Sequence, residues 1–145
     1  MKVLLLNGPN LKLLGSREPK IYGNNTYDRL VADFTAAAGC LGISTECVQS
    51  DIEGELVTQI GTAPARGFDG IVINPGAYSH TSVAIRDAIS AIDIPVVEVH
   101  ISNVFNREDF RKTLMTGAVC RGVISGLGFY SYIAALNFLH KEQNI

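Results

Sequence analysis

The sequence predicts an α/β sandwich, a five-stranded parallel sheet with helices on both faces. Three observations carry it. Five short aliphatic runs alternate with longer runs that are apolar at helical spacing, the mark of successive βαβ units. The third of those runs, Gly70-Ile71-Val72-Ile73-Asn74, is apolar nearly throughout, as a strand covered on both faces requires. Polar residues then collect where the runs end: Asn7 and Asn10 after the first, Asn74 after the third, and Glu98, His100 and Ser102 at the close of the fourth.

Each element has its own warrant. Val3 to Leu6 reads as a buried first strand. Thr26 or Asn25 caps a first helix, in which Tyr27, Leu30, Val31, Phe34, Ala38 and Leu41 form one face and Gly39 and Gly42 mark the end. Ile43 to Val48 is a second strand. Ser50-Asp51-Ile52-Glu53 has the form of a capping box, and Leu56, Val57 and Ile60 follow as the buried face of a helix that Gly61 and Pro64 end or kink. After the third strand Pro75-Gly76-Ala77 forces a turn, and a helix from about His80 to Ala91 buries Ile85, Ala88, Ile89 and Ile92. Pro95 to Val99 is a fourth strand ending at His100, a shorter helix holds Arg107 to Leu114, and Gly122 to Ser125 is a fifth strand. A last helix from about Gly128 to Lys141 carries Tyr132, Ile133, Leu136 and Leu139. Right-handed crossovers place the helices on both faces. The favoured strand order is 2-1-3-4-5, the flavodoxin-like three-layer sandwich, whose switch point lies between strands one and three.

Composition narrows the function classes. A chain of 145 residues suits one domain, 1–145, with no internal repeat or linker. A net charge of −2 without a basic block speaks against nucleic acid. No apolar run approaches the ~20 residues of a membrane span, and Val3 to Leu6 is too short for a signal-peptide core, so the expected location is cytoplasmic. Cys40, Cys47 and Cys120 form no CxxC and are expected as small buried hydrophobes. With no HExxH or His/Cys cluster, a structural or catalytic metal is not expected.

The longest polar loop is Asn7 to Gly23, NGPNLKLLGSREPKIYG, where an ordinary βα loop runs only ~2–6 residues. Asn7-Gly8-Pro9-Asn10 is a tight turn, and residues of about 16–23 form a hinged lid between Gly15 and Gly23, with Arg17 and Tyr22 as its reactive candidates. Glu98 and His100 stand at period two, so both side chains leave the same side of their strand. A carboxylate beside an imidazole fixes the tautomer and favours the protonated ring, which suits a general acid; the plainer alternative is a core histidine with a satisfied hydrogen bond. Arg107 and Arg111, four apart on the expected helix, face the same way. They serve either an anionic ligand, an ionised Tyr22, or a solvated face shared with Glu108 and Asp109. Ile101-Ser102 offers successive backbone N–H groups, a carboxylate nest. His80 and Asp87, seven apart, share a helix face; Asp87 then contacts the same site, pairs with Arg86 or faces a neighbouring subunit. No nucleophile elbow, GxGxxG or Walker A sequence is present. No lysine falls at a buried strand tip, which disfavours a Schiff base. Acid–base chemistry by Tyr, Arg and His on a small anion remains.

Three separated segments, NGPNLKLLGSREPKIYG, INPGAYSHTSVAIRDAI and PVVEVHISNVFNREDFR, resemble in order the type II 3-dehydroquinate dehydratases, over nearly the whole chain. The resemblance implies a flavodoxin-like fold, a dodecamer of four trimers, and the cofactor-free and metal-free trans-elimination of water from 3-dehydroquinate, giving 3-dehydroshikimate through an enolate. It implies Tyr22 as the base at C2, Arg17 as its activator, His100 as the acid for the C1 hydroxyl, Glu98 as the group orienting it, and Asn10 as holder of the water that stabilises the enolate. Asn74, Ile101 and Ser102 match substrate-carboxylate contacts, and His80 and Arg111 match contacts to ring hydroxyls. Asp87 matches a residue that reaches the adjacent subunit's site, and Arg107 a second cation near Tyr22. Lys12 departs from a common Asn and Phe105 from a common His; neither position is assigned to chemistry. Aromatic biosynthesis and quinate breakdown share this step. The competing reading is a flavodoxin-like binding module. Asn7 and Asn74 stand where a phosphoacceptor receiver needs acidic residues, and no Ser/Thr/Gly-rich phosphate loop for a flavin follows the first strand.

Overall fold

A computed structural model describes residues 1–16, 18, 20 and 25–144. The strands β1 (Lys2–Asn7), β2 (Ser44–Gln49), β3 (Gly70–Asn74), β4 (Val96–His100) and β5 (Gly122–Ser125) form one sheet in the order β2-β1-β3-β4-β5. Every adjacent pair is parallel, as expected. The helices α1 (Tyr27–Cys40), α2 (Glu53–Thr62), α3 (Val83–Ser90) and α4 (Tyr130–Gln143) cover its faces.

The pleat divides the core. Val3, Leu5, Val72, Val97 and Val99 pack with Leu30, Phe34 and Ala38 of α1 and Tyr132, Ala135, Leu136 and Leu139 of α4. The alternate residues Leu4, Leu6, Ile71, Ile73 and Val96 pack with Leu56 and Ile60 of α2 and Ile85 and Ile89 of α3. This period-two division puts Asn7 and Asn74 on the α1/α4 side, and Glu98 and His100 on the other. The tips of β1 and β3 meet at the switch point, where the Gly8 N–H donates to the Asn74 carbonyl at 2.7 Å. A Cβ on Gly8 would stand 2.5 Å from the Pro75 carbonyl oxygen, so only glycine lets the two tips close together.

Several expected boundaries move. The helix expected over Arg107–Leu114 is replaced by the 3₁₀ turns Val104–Asn106 and Asp109–Lys112, with Arg107 extended between them. The segment's aromatics, Phe105 and Phe110, are 58% and 64% exposed, so it has no apolar stripe to dock an α-helix. The helix expected from His80 begins instead at Val83. Gly76–His80 is a separate 3₁₀ turn, and Ser82 caps α3 by accepting the Ile85 N–H at 2.9 Å. His80 and Asp87 therefore do not share a helix face. At α2 the N-cap is Ile52, and Ser50 donates to Glu55 rather than forming the box with Glu53. The last helix starts at Tyr130, after Gly128 with φ +60°. The cysteines are less buried than expected: Cys40 is exposed, and Cys47 and Cys120 are half-buried.

Candidate active site

A cleft opens at the carboxyl ends of β1, β3 and β4, where the strand order reverses and an open α/β sheet binds its ligands. Asn10, Asn74, His80, His100, Ile101, Ser102, Arg107 and Arg111 supply its polar lining, and Leu11, Leu14 and Val104 an apolar wall.

Its deepest titratable pair is Glu98 and His100. Glu98 is fully buried, and its Oε1 stands 2.7 Å from His100 Nε2. Ser79 Oγ donates to Oε1 at 2.5 Å and Thr116 Oγ1 to Oε2 at 2.5 Å. With both hydroxyl protons directed at it, the carboxyl group is held as an acceptor. His100 Nε2 then carries the proton shared with Glu98, and Nδ1 is the ring nitrogen left for a ligand. The backbone behind the ring is pinned: the His100 carbonyl accepts the Gly126 N–H at 3.2 Å and the Ser131 hydroxyl at 3.0 Å.

Beyond β4 the chain turns through Ile101 and Ser102, and neither amide N–H has an acceptor among the described residues. The Ile101 carbonyl accepts the Gly128 N–H at 3.0 Å, and the Ser102 carbonyl accepts the Ser125 hydroxyl at 3.0 Å. With the carbonyls occupied elsewhere, two donors remain for an anion. Asn74, 4% exposed, lies across from them with Oδ1 accepting the Gly76 N–H at 3.1 Å.

The mouth is cationic. Arg107 Nη1 stands 3.5 Å from Ser102 Oγ, and its guanidinium lies 4.0 Å from Glu18 and 3.8 Å from Glu108. Arg111 donates to Glu108 at 2.7 Å. Glu108's own backbone N–H, then Arg111, hold its carboxyl below the usual range. His80 Nδ1 donates to the Thr113 carbonyl at 2.9 Å, so Nε2 is the free ring nitrogen. Burial pushes the His80 pKa down; the Thr113 carbonyl opposes this, and His100 and Arg111 reinforce it. The two imidazoles lie 6.3 Å apart and nearly parallel, at 21°.

Of the sequence-nominated residues, Asn10, Asn74, His80, His100, Ile101, Ser102 and Arg111 line the cleft, and Glu98 backs His100 from beneath. Asn10 holds a left-handed conformation, φ 67°, with its N–H donated to Asp51 Oδ1 at 2.9 Å. Asp87 is exposed on α3 and outside this cleft; Arg86 beside it donates to the Met115 carbonyl at 2.9 Å. Arg107 and Arg111 line the cleft together from extended and 3₁₀ backbone rather than from one helix face, with Glu108 between them. Arg17 and Tyr22 lie outside the described residues. Sequence reasoning missed Ser79 and Thr116, which hold Glu98. It also counted Tyr132 as an apolar core position, although its hydroxyl bonds both Asn7 and Asn74. A buried glutamate needs donors, and that requirement was the available signal for the first two.

Among the described residues, no group of three or more His, Cys, Asp and Glu is placed to hold a metal ion. The family described as Dehydroquinase class II matches residues 1–140. The chain is 53% identical over 135 residues to a 3-dehydroquinate dehydratase of Bacillus cytotoxicus, covering 93% of this chain and 92% of the relative. It is 50% identical over 144 residues to one of Thermotoga neapolitana, covering 99% and 97%. Its fold matches a crystal structure of type II dehydroquinase from Butyrivibrio crossotus with a TM-score of 0.95 at 49% identity, over 96% of this chain and 97% of that one.

Proposed function

This chain belongs to the class II dehydroquinases, and we propose that its strand-tip cleft performs the 3-dehydroquinate dehydratase reaction with the roles that follow. The reaction removes water from 3-dehydroquinate and yields 3-dehydroshikimate, a step of the shikimate pathway in this family. The proton α to the ketone leaves first and gives an enolate; the C1 hydroxyl then departs with a proton, and the two balance as water. The Glu98–His100 pair, buried behind an anion-ready rim, carries the assignment of the second half. His100 Nδ1 protonates the departing hydroxyl, and Glu98 keeps Nε2–H oriented and supports the imidazolium.

Tyr22 is the base for the first half and Arg17 its activator. An ordinary tyrosine is only ~0.1% phenolate at neutral pH, so the lid has to bring a cation against it in a dry site. Arg107, on the cleft wall, is the second cation. The Ile101 and Ser102 amides and Asn74 hold the substrate carboxylate, His80 and Arg111 the ring hydroxyls, and Asn10 the water at the enolate oxygen. The exposed position of Asp87 suits a contact across a subunit boundary. As the resemblance of the three sequence segments implies, the working unit is a trimer assembled fourfold into a dodecamer, each subunit one catalytic domain with residues 16–23 as its lid. Light scattering at micromolar concentration is expected to give about twelve subunits; a monomer overturns the assembly. No described helix is long and apolar enough to cross a membrane, and we place the enzyme in the cytoplasm. The activity is tested by adding 3-dehydroquinate to pure protein and following the ultraviolet absorbance of the conjugated enone. No rise between about pH 6 and 9 sinks the assignment.

A further inference from the structure

Tyr132 is wholly buried on α4, yet its hydroxyl is fully engaged. It accepts from Asn74 Nδ2 at 2.7 Å and donates to Asn7 Oδ1 at 2.9 Å. The chain of bonds joins α4 to the tips of β1 and β3, and its direction follows from a single backbone group. The Gly76 N–H donates to Asn74 Oδ1 at 3.1 Å, and a backbone N–H can only donate. Asn74 therefore turns its oxygen to Gly76 and its NH₂ group to Tyr132. The hydroxyl has to accept there, and its one proton goes to Asn7. Running the chain backwards would set the Gly76 N–H against an NH₂ group. Asn74 Nδ2 carries a second hydrogen, and Asn74 lines the cleft beside His100 and Ile101.

We propose that Tyr132 is a positioning residue for substrate binding: it locks the Asn74 amide so that a donor, not an acceptor, meets the anionic end of the substrate. Asn7 is the far anchor of the same relay. The arrangement is costly in a way that packing alone does not explain. Asn7 Nδ2 is buried with no acceptor at ordinary hydrogen-bonding geometry; the Tyr27 phenol, whose pKa burial pushes up and Asn7 lowers by less, is its neighbour. A phenylalanine at 132 would fill nearly the same volume but would leave Asn74 Nδ2 and Asn7 Oδ1 without the partner that now fixes them. Burial pushes the Tyr132 phenol well above its ordinary pKa, so the relay keeps its direction at any working pH.

The inference deepens the proposed dehydratase reading and rests on it. The carboxylate is unchanged between ground and transition states, so its contacts act on KM more than on kcat. Tyr132→Phe is expected to raise KM for 3-dehydroquinate about tenfold, the scale of a weakened hydrogen bond to a charged group, with kcat within about threefold of wild type. The decisive comparison is a double-mutant cycle. In an Asn74→Ala background, Tyr132→Phe should have no further effect on KM. Additive effects in the cycle, or an unchanged KM in the single variant, overturn the relay. If Tyr132→Phe does not fold, Asn7→Leu tests the relay from its other end while deleting the orphaned donor; the same KM rise is expected, and an unchanged KM overturns the proposal. A wild-type protein inert toward 3-dehydroquinate overturns the dehydratase reading and the relay's substrate role with it. An active wild type with an additive cycle overturns the relay alone.

Discussion

Glu98→Gln separates the charge of the buried carboxylate from its shape. Glutamine fills the same volume and keeps one oxygen acceptor. Its oxygen keeps the Ser79 hydroxyl and His100 Nε2–H, which share Oε1, and its NH₂ group faces Thr116, whose hydroxyl rotates to accept instead of donating. The hydrogen bonds largely survive, and the negative charge 2.7 Å from His100 Nε2 is lost. Charge centres about 4 Å apart at an effective dielectric near 20 interact by ~4 kcal/mol, which bounds the imidazolium stabilisation that Glu98 supplies. The lost desolvation cost of the anion returns part of it. A residual barrier increase of ~3–4 kcal/mol corresponds to a kcat lower by ~10²–10³. KM should stay within about threefold, because Glu98 backs the ring and does not line the cleft. Thermal stability should change little, since a neutral isostere replaces a buried ion. Glu98→Ala behaves differently: it strands Ser79, Thr116 and His100 without their acceptor, at ~1–3 kcal/mol for each group, and should destabilise the protein markedly. Enone absorbance gives initial rates across pH, and calorimetry gives the melting temperature. A Glu98→Gln enzyme with kcat within threefold of wild type would refute the charge argument.

Tyr22→Phe should abolish turnover while substrate still binds by calorimetry, and Arg17→Lys should restore only part of what Arg17→Ala loses, since a point charge does not replace a planar fork; an active Tyr22→Phe enzyme moves the base elsewhere. Asp87→Ala should weaken substrate binding without unfolding the protomer, and unchanged KM with an intact oligomer removes its cross-subunit role. His80 makes acid stability testable. Burial, the largest cause, lowers its folded pKa below the ~6.5 of an unfolded histidine. The unfolded chain then binds the extra proton, so stability is full above ~6.5 and falls as pH drops through the lowered value. His80→Gln should flatten the melting-temperature slope on that acid side, and equal slopes in both proteins exclude His80 as the source.

Strand tips are legible in one dimension because burial is. Leu4 and Ile73 have to be apolar wherever the sheet lies, so the five strands and the polar ends at Asn7, Asn74 and His100 follow from the sequence, while the strand order came from likeness to the flavodoxin-like fold. Period two likewise places Glu98 and His100 on one side before any coordinates are drawn. The 3₁₀ backbone around Arg111 and the Ser82 cap were not legible. Helix formation there is decided by what a segment packs against, and Phe105 and Phe110 stay more than half exposed. Least legible were the partners of buried polar atoms. Ser79 and Thr116 meet Glu98 from 19 and 18 residues away, and Tyr132 meets Asn7 from 125. A hydroxyl carries no periodicity that reveals its acceptor, so only the packing of α4 against the tips of β1 and β3 decides that a core tyrosine holds the amide of the cleft.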